Sequence, residues 1–133
     1  MHLKRKKITD YKLILLQRSK GYSLRPSILI DEIEEVATII KEKSPNTILF
    51  VDNCYGEFVE DKEPLEVGAD IIAGSLIKNP GGTLVASGGY LIGEESLINK
   101  ISDSFYSPRY WTRNLCCRWY YIKINVSRPL FST

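Results

Sequence analysis

The apolar residues of this chain are gathered in short, uninterrupted runs separated by polar stretches. Runs of this length that show no alternation with polar residues are typical of strands buried on both faces of a sheet. They predict four strands, at residues 12–17, 47–51, 69–73 and 88–92.

Two further segments repeat their apolar residues at the spacing of an α-helix. The first carries Ile30, Ile33, Val36, Ala37 and Ile40 on one face. Acidic residues open this segment and lysines close it, an order that suits the helix dipole. The second segment, 94–104, carries Leu97, Ile98 and Ile101. Strands in this order with helices between and after them predict an α/β fold with a mostly parallel sheet and flanking helices.

Length and composition agree with one soluble domain, at 133 residues with 44% hydrophobic and 26% charged positions. No apolar run is long enough to span a bilayer, and the basic N-terminus lacks the apolar core of a secretory signal, which favours the cytoplasm. The three cysteines follow no metal-binding spacing, so we expect reduced thiols at Cys54, Cys116 and Cys117.

An acid and a lysine follow two of the predicted strands. Asp52 comes directly after the second strand and Lys78 lies just beyond the third. Ligands of open α/β sheets gather at the carboxyl ends of the strands, so these two side chains can face a common ligand. The alternative is an ion pair, or two unrelated surface charges.

The sequence around both residues resembles a known enzyme family. Val51-Asp52-Asn53-Cys54-Tyr55 and the segment 74–82 (GSLIKNPGG) resemble the aspartate and lysine segments of the cystathionine- and methionine-lyases. These belong to the fold-type-I, pyridoxal 5'-phosphate (PLP)-dependent Cys/Met metabolism family. The longer strings 51–60 and 68–89 resemble its methionine gamma-lyase-like, or aluminium resistance protein, branch. The resemblance runs from about residue 12 to residue 101.

The resemblance implies a cofactor, a site and an overall fold. In the family a lysine amine condenses with the PLP aldehyde and later moves protons at the substrate, and an acid keeps the ring nitrogen protonated. Lys78 matches the catalytic and cofactor-binding lysine, Asp52 the acid, and Ser75 a serine that binds the cofactor phosphate. Ile77 departs from the pattern, because many relatives carry a threonine there. The implied fold is part of the large domain of an aspartate-aminotransferase-like PLP transferase.

The roles of other residues near these motifs are less closely defined by the resemblance. Asn53 and Tyr55 are expected either to pack near the cofactor or to serve the turn. Cys54 is expected to be a small buried side chain rather than a nucleophile, since no histidine lies nearby in the sequence. Gly81-Gly82 is expected to let the backbone pass closely behind the lysine.

Relatives in the family are several times longer, so we expect a fragment that is inactive alone. The full-length enzymes take an amino-acid substrate and form homo-oligomers, and nothing in the sequence points to a membrane partner. We expect residues 1–103 to be a partial PLP-dependent transferase domain and 104–133 to be a separate, atypical tail.

That tail is basic and aromatic, with no acid and no glycine. Its basic residues are Arg109, Arg113, Arg118, Lys123 and Arg128. Codons can be chosen for 109–118 that, read one nucleotide later, give a glycine-rich sequence similar to the family. We therefore predict translation out of frame from about Arg109, and a segment after about Ser104 that is poorly ordered or packs without a consistent pattern.

Three functions remain open from the sequence. The first is a PLP-dependent carbon–sulfur lyase, or part of one. The second is a non-enzymatic remnant. The third is a small basic module that binds nucleic acid through the tail.

Overall fold

The computed structural model of the chain describes residues 7–79, 82, 88–105 and 121–125, and for 104–105 and 121–125 the backbone alone. Its helices and strands are β1 (Leu13–Gln17), α1 (Ile30–Lys43), β2 (Ile48–Asp52), β3 (Ile71–Ser75), β4 (Gly89–Gly93), α2 (Glu95–Phe105) and β5 (Tyr121–Asn125). Short 3-10 helices cover Ile8–Asp10 and Pro64–Val67. The expectations for Gly81, Cys116 and Cys117 lie outside the described residues.

The five strands form one sheet in the order β1-β2-β3-β4-β5. Strands β1, β2 and β3 run parallel, β4 is antiparallel to β3, and β5 is parallel to β4. The predicted α/β class and mostly parallel sheet are therefore confirmed. No strand is predicted from the sequence at Tyr121–Asn125, where the structure instead has β5 in regular register with β4. The rest of the tail after residue 105 lies outside the described part of the chain.

The third strand begins two residues later than predicted because Asp70 is used as a side-chain clip. Its carboxylate accepts hydrogen bonds from the Leu49 backbone N–H at 2.7 Å and from the Lys41 amine at 2.7 and 2.9 Å. The same amine donates to the carbonyl of Thr47 at 3.0 Å. The clip ties the end of α1 to the start of β2, and regular pairing of β3 starts at Ile71.

The core lies between α1 and one face of the sheet. The buried face of α1 is Ile30, Ile33, Ala37 and Ile40, four of the five residues that the helical spacing predicts. It packs in one cluster with Leu49 and Val51 of β2, both fully buried. Val67 and Ala69, at the end of the Pro64–Val67 3-10 helix and just after it, belong to the same cluster. Burial of this apolar area is the main force that holds the layer together.

The edge strand β1 shows which face of the sheet is covered. Ile14 and Leu16 pack against the core, in register with Leu49 and Val51. Leu13 and Leu15 alternate with them and therefore point to the opposite face, where they are 45% and 61% exposed. A strand with apolar residues on both faces thus has a helix over one face and leucines open to solvent on the other.

Neither described helix is long and apolar enough to cross a membrane.

Candidate functional site

Two neighbouring parallel strands, β2 and β3, carry the predicted site residues at their carboxyl ends, which define the strand-end edge of the sheet. Asp52 is the last residue of β2 and pairs with Ala73, and Ser75 is the last residue of β3. Lys78 follows in a turn in which its backbone N–H donates to the carbonyl of Ser75 at 3.3 Å. Asp52, Ser75 and Lys78 therefore lie at one edge, as the strand-end rule predicts.

The Asp52 carboxylate is held by the turn that follows it. Its Oδ1 atom accepts a hydrogen bond from the Cys54 backbone N–H at 3.1 Å. The backbone carbonyl of Asp52 accepts from the N–H of Arg18 at 3.0 Å, and the N–H of Asn53 donates to Ala73 at 2.8 Å. Bonds to both neighbouring strands fix the backbone here, while the carboxylate itself stays partly exposed.

The Lys78 amine lies over an aromatic ring beside this carboxylate. Its Nζ atom is 4.5 Å from the ring centroid of Tyr55, within the range of a cation–π interaction. Burial by itself lowers the pKa of Lys78, but a hydrogen bond with Cys54 and the negative charges around the amine outweigh it and raise that pKa. A catalytic lysine is expected to have a lowered pKa. The direction is opposite here because the hydrogen bond with Cys54 and the nearby acidic groups favour the ammonium form.

The Cys54 thiol also has a raised pKa, first because it is buried and then because Asp52 contacts it. Lys78 opposes this shift without reversing it. Asp52 is therefore an acidic neighbour of both the Cys54 thiol and the Lys78 amine. Cys54 is partly buried and outside any disulfide, in keeping with the expected reduced thiol.

A buried arginine lies beneath this edge. Arg18, at 3% exposure, donates from Nη1 to Asn53 Oδ1 at 2.8 Å and to the carbonyl of Gly56 at 2.9 Å. It forms an ion pair with Glu60, whose carboxylate also accepts from the first N–H of α1, that of Ile30, at 3.2 Å. A Cβ atom on Gly56 would lie 2.4 Å from the guanidinium, so only glycine fits beside it.

Asn53 extends the network towards β4. Its Nδ2 atom donates to Glu63 at 2.8 Å and reaches the Tyr90 hydroxyl at 3.4 Å. The Tyr90 hydroxyl donates to Glu57 Oε1 at 2.9 Å, while Glu57 Oε2 is buried with no hydrogen-bond partner. Burial, then the contact with Glu57, raises the pKa of Tyr90 against the opposing effect of Asn53. Of the two readings of Asn53, the structural one fits these contacts.

Sequence reasoning found the edge residues but missed the network under them. Arg18 lies outside the strands and helices that the sequence predicts, and no single-sequence signal marked it as buried. The expected close passage behind the lysine is confirmed for Gly82, whose added Cβ would lie 2.9 Å from the Lys78 carbonyl oxygen. Ile77, the departure from the family pattern, is 51% exposed.

The described residues contain no cluster of histidine, cysteine and acid side chains suited to a metal ion. Arg18–Glu60 and Lys41–Asp70 are ion pairs within 4 Å. Asp52 and Lys78 are close enough to influence each other's charge but are not bonded as a pair. An amine and a carboxylate, both partly exposed and both available, are the two groups by which proteins hold PLP. The residues present therefore fit that cofactor.

Comparison with known proteins places the chain in a family. A family model described as methionine gamma-lyase matches residues 2–117. The uncharacterized protein YnbB of Bacillus subtilis (strain 168) is 59% identical over 97 residues, which are 73% of this chain and 23% of YnbB. The chain belongs to the methionine gamma-lyase family.

Solved structures agree with this membership. A Listeria innocua protein, provisionally named a cystathionine beta-lyase involved in aluminum resistance, matches with a TM-score of 0.71 and 57% identity, over 73% of this chain and 24% of its own. A carbon-sulfur lyase involved in aluminum resistance from Clostridium novyi NT matches with a TM-score of 0.67 and 46% identity, over 73% and 22%. The chain spans about a quarter of the length of these relatives.

Proposed function

We propose that this chain is the central part of a PLP-dependent carbon–sulfur lyase that acts on sulfur-containing amino acids. The observation that carries the proposal is the position of Asp52 and Lys78 at neighbouring ends of parallel strands, where neither is tied up in an ion pair of the kind that holds Lys41. Membership of the methionine gamma-lyase family gives the reaction class.

Each edge residue has a proposed role that follows from its chemistry. Lys78 supplies the amine that holds the aldehyde carbon of PLP and later carries a proton to or from the substrate. Asp52, fixed by the Cys54 N–H, keeps a proton on the ring nitrogen. When bound, PLP withdraws electrons from the substrate α-carbon, which no protein side chain can do.

Ser75 is proposed to bind the cofactor phosphate through its hydroxyl. It is partly exposed at the end of β3, three residues before Lys78. A serine hydroxyl donates one hydrogen bond to a phosphate oxygen. Ile77 has no hydroxyl, so the second contact that a threonine would give there is absent from this chain.

The described part of the chain is proposed to be a section of an aspartate-aminotransferase-like large domain. Sheets of that kind carry helices on both faces. The exposed Leu13 and Leu15 support the proposal, because a complete domain would cover them. So does the length, about a quarter of that of the relatives.

We propose further that the full-length protein forms a homo-oligomer.

We propose that residues 1–103 belong to this domain and that residues from about Arg109 are read from another frame. The composition change after residue 103 motivates the division. Sequencing of the genomic DNA tests it: the shifted frame is expected to encode a family-like continuation. An early stop codon in that frame would contradict the proposal. The nucleic-acid-binding alternative concerns this same segment and stays a prediction.

An absorbance titration with PLP tests the cofactor role. We expect the visible band of lysine-bound PLP with the wild-type chain and with Lys43→Ala, a matched change at an exposed lysine at the end of α1. Lys78→Ala is expected to lose the band. An equal band in Lys78→Ala would overturn the assignment of the lysine.

The chain alone is expected to show no turnover. Catalysis needs the substrate held to within about 1 Å of its reactive position, and a misplacement of that size costs about a hundredfold in rate. The measurement is thiol or ammonia release from methionine, homocysteine and cystathionine. Release that disappears in Lys78→Ala would contradict the expected inactivity while supporting the reaction class.

A further inference from the structure

The turn that carries Tyr55 has an unusual backbone. Asn53 to Gly56 form a turn closed by a 2.8 Å hydrogen bond from the Gly56 N–H to the Asn53 carbonyl. Tyr55 is its third residue and has a φ of 67°. Glycine or asparagine is the usual residue at a turn position with positive φ, because a side chain there crowds the backbone.

The packing of the Tyr55 side chain does little to offset the strain of this backbone conformation. Its side chain is 58% exposed and contributes nothing to the buried cluster between α1 and the sheet. Glycine would adopt the same backbone without strain. Strained residues that the fold does not need for stability are found at functional sites. The reason for a tyrosine must therefore lie in what its ring contacts.

The contact that the ring makes is with the Lys78 amine, at 4.5 Å from the centroid. The groups that face the amine are Asp52, Cys54 and Tyr55. Asp52 is the carboxylate among them, and the aromatic face of Tyr55 adds a second attraction for the ammonium form of Lys78. The ring and the carboxylate therefore act on the same proton-bearing nitrogen.

We propose that Tyr55 is a positioning residue that holds Lys78 as an ammonium ion at the strand edge until an aldehyde displaces the ring. Condensation of an amine with an aldehyde joins nitrogen to carbon and releases water. It needs the nitrogen lone pair, which becomes available only when the ammonium loses its proton to solvent. Tyr55 thus sets how readily the lysine reacts. The inference deepens the proposed function, since it concerns the same lysine, but its test needs no cofactor.

The comparison of Tyr55→Phe with Tyr55→Leu isolates the ring, because neither variant carries a phenol. Phenylalanine keeps a cation-binding face and leucine does not. The titration midpoint of the Lys78 amine is measured by NMR of chain labelled with ¹³C-lysine, with Lys78→Arg to assign the signal. We expect a midpoint lower in Tyr55→Leu than in Tyr55→Phe by about 0.3 to 0.7 pH units, a two- to fivefold difference in free amine. Equal midpoints would overturn the proposal.

Reaction with acetaldehyde, trapped by cyanoborohydride at pH 7.5, gives a second readout. Lys78 is expected to react about two- to fivefold faster in Tyr55→Leu than in Tyr55→Phe, relative to Lys43 in the same molecule. Tyr22→Leu, a change at a fully exposed tyrosine in another loop, is expected to leave the ratio unchanged. Should Tyr55→Leu fold poorly, Tyr55→Gly removes the ring and the strain together, and it must show the same lower midpoint. A wild-type midpoint in Tyr55→Gly would contradict the proposal.

Discussion

Arg18 Nη1 donates a 2.8 Å hydrogen bond to Asn53 Oδ1, and so joins the residue after β1 to the residue after β2. Both side chains are almost fully buried. The same guanidinium pairs with Glu60, whose carboxylate accepts a hydrogen bond from the Ile30 N–H at the start of α1. The buried Arg18 guanidinium thus fixes the backbone around Asp52, although the guanidinium itself is shielded from solvent.

Removal of that charge is expected to destabilise the fold. Arg18→Met leaves Glu60 and the Asn53 amide oxygen without their partner, and loss of one partner of a buried ion pair costs about 3–5 kcal/mol. Urea unfolding followed by circular dichroism measures the change. Lys20→Met, at an exposed position two residues away, is the control and is expected within about 0.5 kcal/mol of wild type. A loss below about 1 kcal/mol in Arg18→Met would contradict the structural role of the network.

The two faces of β1 are expected to respond differently to the same substitution. Leu16→Thr removes an apolar side chain that packs on the core and is expected to cost about 1–2 kcal/mol of unfolding free energy. Leu15→Thr, on the exposed face, is expected to cost less than about 0.5 kcal/mol. It is also expected to reduce the binding of anilinonaphthalene sulfonate, which reports open apolar surface. Equal losses of stability in both variants would mean that the face of Leu15 is covered.

The Cys54 thiol is expected to titrate above the ordinary cysteine pKa, because burial and Asp52 disfavour the thiolate. Iodoacetamide alkylation across pH 7–10, in a background with Cys116 and Cys117 changed to serine, gives the midpoint. Asp52→Asn is expected to lower it and Lys78→Met to raise it further, since these side chains act in opposite directions. A shift of both variants in the same direction would show that charge is not the cause.

The same raised pKa has a consequence for stability, with a definite sign. The folded chain holds the Cys54 proton more tightly than the unfolded chain does. The resulting contribution to stability is complete below the ordinary thiol pKa and is lost as pH rises through the raised folded-state pKa. Cys54→Ser in the same serine background is therefore expected to unfold with a weaker dependence on pH across this alkaline window.

The parts of the site that follow from local sequence were predictable. Apolar runs mark where β2 and β3 lie, and the strand-end rule then brings Asp52 and Lys78 to one edge. The helical spacing likewise identified the buried face of α1. Such signals need only neighbouring residues, which a sequence shows directly.

The rest depends on contacts between residues far apart in the chain. Arg18 meets Asn53 and Glu60 across 35 and 42 positions, and no periodic pattern encodes such a pairing. The start of β3 was wrong by two residues because Asp70 bonds to Lys41 and Leu49 instead of continuing the strand. The direction of the Lys78 pKa shift could not be predicted either, since it depends on which charges surround the amine.

The most direct test of the central claim is the site at which PLP attaches. The chain is incubated with PLP near its dissociation constant, reduced with borohydride, digested, and mapped by mass spectrometry. Lys78 is expected to carry the phosphopyridoxyl group in preference to exposed lysines such as Lys43 and Lys62, and Asp52→Asn is expected to weaken that preference. Labelling spread over the lysines in proportion to their exposure, and unaffected by Asp52→Asn, would contradict the proposed site.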